Sequence, residues 1–427
     1  MGIKGIKHVE LRRVKEVIDG LKPITDFEVV DVEEAYGRVL AENIRAPIQH
    51  PLRDMAHFDG YAVRYDEVKG ATPSKSLKLK VVGEVFANEF KEIKVGVGEA
   101  VHVATGAFLP PNADTVIPVE SVKHVEGFIE LRQAPPRRGW HVIPGGDDFK
   151  VGDLILTKGR VLRPIDIELL KFLGIDRVKV IRRLKVSVIS IGDELVLSRA
   201  DLREGKKLST RSLLVKGFLR GLGVEVADLG VVSDDPKEIG ELIKYALSLS
   251  DVVVTIGSAS VGKKDVVHEV INGLGEPGVL FHGVRVKPGR QSGLALVGKT
   301  PIVMLPGLIQ STYVGMHVVL APLISRLYGN PWREFSYVVK AVPQHDFYVK
   351  EFAGFPRIVF AEVVGIDGGC LKVVPYIKES PLYTPLIKGD VALIIPPRKI
   401  NIKAGEVVIG IPTSVSDWLN PILKLIS

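Results

Sequence analysis

The sequence predicts an α/β multidomain protein in which a doubly wound α/β domain accompanies an N-terminal helical and mixed domain, an inserted β-domain and a C-terminal β-barrel. Three observations support this. Between Leu184 and Gly329, strand-like and helix-like segments alternate at βαβ lengths. From Pro51 to about Gly145, and again after residue 335, the segments shorten to β-rich runs separated by turn residues. A chain of 427 residues also exceeds what one core organises. The divisions read 1–50 with 146–183 for the mixed domain, 51–145 for the β-domain, 184–330 for the α/β domain and 335–427 for the barrel.

The elements follow in order. Val9, Val14, Val17, Ile18 and Leu21 recur at a helical period. A second short helix is expected from Val32 to Ala41. Strands are expected at 77–85, 100–105, 115–122 and 128–134, then a helix opened by Pro164. In the α/β part, strands at 184–191, 224–230, 251–257 and 300–307 alternate with helices at 211–223, 236–248, 265–275 and 311–329. That rhythm predicts a parallel sheet with helices on both faces. Five short apolar or alternating segments after residue 338 predict the small barrel.

Composition narrows the function. At 46% hydrophobic and 25% charged, the chain reads as a folded globular protein. No run approaches the roughly 18–20 apolar residues of a membrane helix, and the first residues carry no apolar signal core. A cytoplasmic protein with no membrane partner is expected. Cys370 is the single cysteine, which excludes an internal disulfide and a cysteine-built metal site. The ten histidines are scattered, arguing against a zinc hydrolase and leaving a hard-metal site of acids open. The net charge of +7 is interleaved with acids and carries no aromatic-basic motif, so no nucleic acid is expected. It suits capture of a small polyanion. Scarce Asn and Gln beside abundant Lys, Glu, Val and Ile suggest a thermophile.

Ligands of open α/β sheets bind where strands end and turn into helices. SIGDEL (190–195) puts Asp193 and Glu194 at such an exit, where two acids either hold Mg²⁺ or water, or favour a helix dipole. TIGSASVGKKD (255–265) gathers small residues at Gly257, Ser258, Ser260 and Gly262, letting backbone N–H groups approach an anion. Asp265 then opens a helix, either as its cap or as a site acid. VKPGRQSG (286–293) sets Lys287 and Arg290 around a Pro-Gly turn, a cationic clamp for an oxyanion or else a solvated loop. MLPGLIQST (304–312) ends with Ser311 at a helix start.

Together these motifs resemble the molybdopterin molybdenumtransferases, the family that includes the gephyrin E-domain. IGDELV, TIGSASVG, VKPGR and LPG occur here in that family's order. EAYGRVLAENIRAPIQHP (34–51), FDGYAVR (58–64), ATGAFLPPNADTVIPVE (104–120) and IPGGDDFKVGD (143–153) resemble its upstream segments. The resemblance implies an enzyme that takes adenylylated molybdopterin and molybdate or tungstate, with Mg²⁺, and releases AMP and the finished cofactor. It implies a homodimer in which the α/β domain of one subunit and the β-domain of the other form one cleft, and handover from a molybdopterin adenylyltransferase. It assigns Asp59, Thr105 and Asp148 to that cleft, and Glu194 and Asp265 to the metal or water. Lys287 with Arg290 then falls to the oxyanion, and Ser311 and Ser380 are further binding candidates.

The chain departs from the family pattern at several of these places. Ala56, His57 and Phe58 replace Ser-Ala-Met, Ser258 replaces a glycine, and Lys263 stands where an acid is common. Arg211 occupies an asparagine's place, Leu308 and Ile309 replace Asn-Pro, and Glu362 falls near a usual arginine. These departures point either to a paralogue retuned toward another oxyanion or to a non-catalytic, pterin- or nucleotide-binding scaffold. A lone adenylyltransferase on the α/β domain is a further reading, though it would need only residues 184–329.

Overall fold

The computed structural model describes residues 8–87, 89, 91–257, 266–329, 338–349, 354–414, 418 and 422. It divides into two compact units. One comprises residues 42–158 and 164–177, and the other 1–41, 159–163 and 178–427. Among the described residues no helix is long and apolar enough to cross a membrane.

The first unit is built on a six-stranded mixed sheet. Its strands are β1 (Gly60–Val63), β2 (Leu77–Val85), β3 (Glu99–Val103), β4 (Thr115–Pro118), β5 (Val122–Val125) and β6 (Phe128–Leu131), in the order β4-β1-β3-β2-β6-β5. Successive side chains of a strand face opposite sides, and both sides are covered here. Tyr61 and Val63 pack with Ile117, Ile129 and Leu131 on one face, while Ala62 packs with Val101, Val103 and Val116 on the other. Gly60 is required at the start of β1, because a Cβ there would lie 2.3 Å from the Ile117 carbonyl oxygen.

The second unit holds the α/β layers and the barrel. The strands β7 (Lys185–Ile191), β8 (Glu225–Val232), β9 (Val252–Ile256), β10 (Pro277–His282), β11 (Gly293–Val297) and β12 (Thr300–Leu305) run in the order β8-β7-β9-β12-β11-β10. Four of them are parallel, as expected, but β11 pairs antiparallel with both β12 and β10. The expectation of a wholly parallel sheet is corrected at that edge. No helix separates β10, β11 and β12, so the chain returns by reversals, and reversals make antiparallel pairs. The sheet is covered on both faces. Val215, Leu219, Val314 and Leu323 pack on one face over Val186, Val188 and Val254. Ile239, Ile243, Val267 and Ile271 pack on the other over Ile189, Ile191 and Val253.

The barrel is closed by β13 (Val339–Pro343), β14 (Arg357–Asp367), β15 (Cys370–Pro375), β16 (Val391–Ile395) and β17 (Val408–Pro412). Its inside is filled by Ala341, Val359, Ala361, Val373, Leu393, Ile395 and Val408. The helix Leu11–Asp19 forms as its period predicts and buries Leu11, Val14 and Ile18. The helix expected from Val32 to Ala41 does not form. Only Val32–Glu34 makes a 3₁₀ turn. Gly37 then takes φ +73°, and Val39 and Leu40 make β-bridges to Val161 and Val180. The apolar spacing there serves an extended segment, and a left-handed glycine breaks the helical path.

Candidate functional site

The two edges of the α/β sheet are built differently. At the entry edge, Arg182 makes a bidentate pair with Asp251, both bonds 2.7 Å, and Asp251 also accepts the Lys185 N–H at 2.8 Å. Partial burial opposes the Asp251 charge, but the Arg182 hydrogen bonds and charge outweigh it, so its carboxyl sits below the ordinary value. Charge there ties strands together. At the exit edge, the backbone itself comes close. The Gly257 N–H donates to the Leu305 carbonyl at 3.0 Å and Gly192 N–H to the Val232 carbonyl at 3.1 Å. Gly257 has φ +100°, and a Cβ on it would stand 2.3 Å from the Ile191 oxygen. A Cβ on Gly307 would lie 3.6 Å from the Gly257 Cα. Three strand exits thus meet with no side chain between them.

The acid pair follows β7 directly, and both residues are exposed. Asp193 accepts the Asp234 N–H at 3.0 Å, and Asp234 accepts the Asp193 N–H at 3.2 Å. This reciprocal tie joins the exits of β7 and β8. Glu194 folds back over Gly192, where a Cβ would meet its carboxylate oxygen at 2.7 Å. Among the described residues no three acids or histidines gather as a metal site.

β10 runs in the same sense as β12, since each is antiparallel to β11. Its loop to β11 therefore emerges at the exit edge and carries Lys287 and Arg290, both half-buried. The Lys287–Pro288 bond is cis and Gly289 takes φ +101°. The Val284 N–H donates to the Arg290 carbonyl at 2.8 Å, closing the loop. The turn packs on Val314, which a Cβ on Gly289 would meet at 3.0 Å. Lys287 is also held to the barrel, donating its N–H to the Pro356 carbonyl and accepting the Ile358 N–H.

Ser311 is buried in the helix Ile309–Gly315 that follows the LPG turn. In that helix Thr312 donates its hydroxyl to the Pro306 carbonyl at 2.5 Å. Gln310 donates its N–H to the Ser380 carbonyl at 3.1 Å and its amide to the Glu379 and Leu382 carbonyls. Ser380 is thereby brought beside the helix start, one residue from Ser311. Ser258, Ser260, Gly262, Lys263 and Asp265 lie outside the described residues.

In the other unit, Asp59 and Thr105 meet, a contact that the motifs by themselves did not specify. Asp59 accepts the Thr105 N–H at 2.7 Å and its hydroxyl at 3.1 Å. Those bonds, with a contribution from the His102 charge, hold the exposed carboxyl below the usual carboxylate range. Two of the substituted residues before Asp59, His57 and Phe58, join an aromatic group. Phe58 lies edge-on to His57 and His141, with ring centroids 4.8 and 4.4 Å apart. Asp148 is exposed on the following loop, its N–H donating to the His50 carbonyl.

Sequence reasoning missed Asp234, Gln310 and Tyr383. Asp234 lies in SDDP, a fourth strand exit read only as the approach to the helix opened by Pro236. Gln310 and Tyr383 act through barrel carbonyls and Arg211, contacts with no local sequence signal. Glu362, noted as a departure, accepts the Tyr376 hydroxyl hydrogen bond.

Comparison with known proteins agrees across nearly the whole chain. Residues 9–174 match the family model described as "MoeA N-terminal region (domain I and II)" and residues 187–326 the model "Probable molybdopterin binding domain". The chain is 33% identical over 401 residues to the molybdopterin molybdenumtransferase of Haemophilus influenzae, covering 90% of this chain and 93% of that one. Two crystal structures of a molybdopterin biosynthesis moeA protein from Pyrococcus horikoshii superpose with TM-scores of 0.78 and 0.80, at 32% and 29% identity. They cover 96% and 95% of this chain, which covers 100% and 99% of theirs.

Proposed function

The chain belongs to the molybdopterin molybdenumtransferase family, and we propose that it inserts molybdate or tungstate into adenylylated molybdopterin with release of AMP. It is an enzyme of molybdenum cofactor biosynthesis. The observation that carries the reaction is the exit edge of the α/β sheet, where Gly257 and Gly307 bring the bare backbone of three strand exits together beside the Lys287–Arg290 turn. Backbone without side chains that a ligand can approach closely, with cations beside it, suits phosphates and a tetrahedral oxyanion.

Mg²⁺ fits the donor chemistry present. It commonly takes one or two carboxylates and leaves its other positions to water and phosphate. Asp193 is engaged with Asp234, so Glu194 is the carboxylate of the described acid pair left to hold it, with Asp265 as the second. The metal would supply charge to the bridging phosphates. Lys287 and Arg290 orient the incoming oxyanion, and Ser311 and Ser380 are proposed to complete its binding. Asp59, oriented by Thr105, serves with Asp148 as an acidic group of the same reaction. We further propose that the protein works as a cytoplasmic homodimer and receives its substrate from a molybdopterin adenylyltransferase. The scaffold alternative gains nothing from those relatives that are named as transferases.

The test is AMP release by the purified chain from adenylylated molybdopterin and molybdate, followed chromatographically. Asp59→Asn is expected to lower turnover tenfold or more, with the thermal midpoint of the wild type. Absence of AMP release from folded wild-type protein would overturn the reading.

A further inference from the structure

Arg211 opens the helix Arg211–Gly221 at the exit edge of the sheet. Its Nε donates to the Gly307 carbonyl at 3.1 Å, and one terminal nitrogen donates to the Tyr383 hydroxyl at 2.6 Å and to Thr210 Oγ1 at 3.2 Å. The guanidinium carbon lies 5.2 Å from the Tyr383 ring centroid. Among the described residues, all these acceptors are neutral. Among the described residues no carboxylate pairs with it, unlike Arg182 on its aspartate at the opposite edge. The second terminal nitrogen, Nη2, makes no hydrogen bond among the described residues. Arginine offers five N–H donors in a planar fork, and here one prong is fixed while the other is left available.

Its position makes that prong useful. Gly307 is the glycine that approaches Gly257 across the strand exits. On the other side of the same turn, Gln310 is tied to the carbonyls of Glu379 and Leu382, adjacent to Tyr383. Arg211, the LPG turn and the 379–383 segment therefore form one continuous rim. Burial works to raise the Tyr383 phenol, but hydrogen bonds to Arg211 and Thr210 outweigh it and hold it below the ordinary tyrosine value. The contact is thus polarised toward keeping the cation in place.

We propose that Arg211 is a further substrate-binding residue, taking a tetrahedral oxyanion group at the mouth of the LPG turn, with Gly307 and Tyr383 as its supports. The group is either the nucleotide phosphate or the metal oxyanion, which share the oxygen geometry a guanidinium recognises. The inference rests on the transferase reading and adds a residue at a position where the family resemblance places an uncharged asparagine.

Isothermal titration with AMP and, separately, with tungstate tests it on wild type, Arg211→Asn, Arg211→Lys and Tyr383→Phe. Arg211→Asn is expected to weaken one ligand tenfold or more with an unchanged thermal midpoint, and Arg211→Lys to recover part of that loss. A loss confined to AMP identifies the phosphate, and one confined to tungstate the metal oxyanion. Tyr383→Phe is expected to weaken the same ligand less, because the Gly307 and Thr210 bonds remain. If wild type binds and Arg211→Asn binds both ligands within twofold of it, the inference fails. It also fails if the midpoint falls with affinity and Arg211→Lys restores only the midpoint. If wild type binds neither ligand, the transferase reading fails instead.

Discussion

His282 illustrates how one residue's surroundings set a property of the whole fold. It ends β10 with its ring 5.4 Å from the ring of His268. Burial pushes its pKa down to about 4, helped by the neighbouring His268 and His8 charges. The unfolded chain takes up a proton near the ordinary 6.5, whereas the folded chain does so only near 4. The unfolded state therefore binds more protons in that window. Stability is whole above pH 6.5 and declines as pH falls toward 4, by up to about 3 kcal/mol from this group. Replacing His282 with Gln should flatten that acid limb, measured as urea midpoints at pH 7, 6 and 5. A variant declining as steeply as wild type would refute the assignment. The sequence shows His282 as a histidine in an apolar run, but its desolvation comes from neighbours far along the chain.

The strand exits belong to the scale of elements. β7, β9 and β12 were legible because each is a short apolar run buried on both faces, bounded by turn residues, and the exposed edge strand β8 by its place between two helices. β10 was not, since proline, glycine and histidine interrupt its pattern, and β11, an apolar run like the others, was passed over. The misread helix after Val32 shows the converse. There the spacing of Val32, Ala35 and Val39 suits either geometry, and a single backbone conformation at Gly37 decides. Gly257 shows what an exit requires. Gly257→Ala forces a Cβ into the Ile191 carbonyl at a φ of +100°, which L-residues adopt reluctantly. A loss of about 1–3 kcal/mol is expected from overpacking of this kind. It should appear as a lower thermal midpoint together with weakened AMP binding. Binding unchanged in a folded variant would show that the exit backbone does not meet ligand.

Across the second unit, one apolar core draws on residues from Leu11 to Ile422. Trp418 is fully buried and stacks on His317, with centroids 4.2 Å apart and planes 12° from parallel. Its backbone N–H donates to the His317 carbonyl within the π-helical turn Met316–Leu320. Tyr313 lies between this stack and the barrel, its hydroxyl donating to the Thr413 carbonyl. Burial pushes that phenol up to about 12. Trp418 thus completes the packing of the helix that follows the LPG turn. Trp418→Ala should cost about 3–5 kcal/mol, as truncation of a buried aromatic does. Chemical denaturation would measure it, and a cost below about 1 kcal/mol would mean that Trp418 adds little to the core.

By itself, the sequence determined the fold class, the family resemblance and the identity of most site candidates. Buried apolar periods, glycines at positive φ and charged residues beside turns are local constraints, so they leave local marks. Asp59 and Thr105 were singled out through the family resemblance, but their contact, across 46 residues of chain, was not legible. Tertiary structure alone decided the reversal of β11, the reciprocal tie of Asp193 and Asp234, and the placing of Ser380 beside Gln310. It also decided that Arg211 faces neutral acceptors while Arg182 is paired with an acid. Contacts between residues distant along the chain depend on how strands register and layers pack. Those are collective outcomes of burial, and no short stretch of sequence carries them.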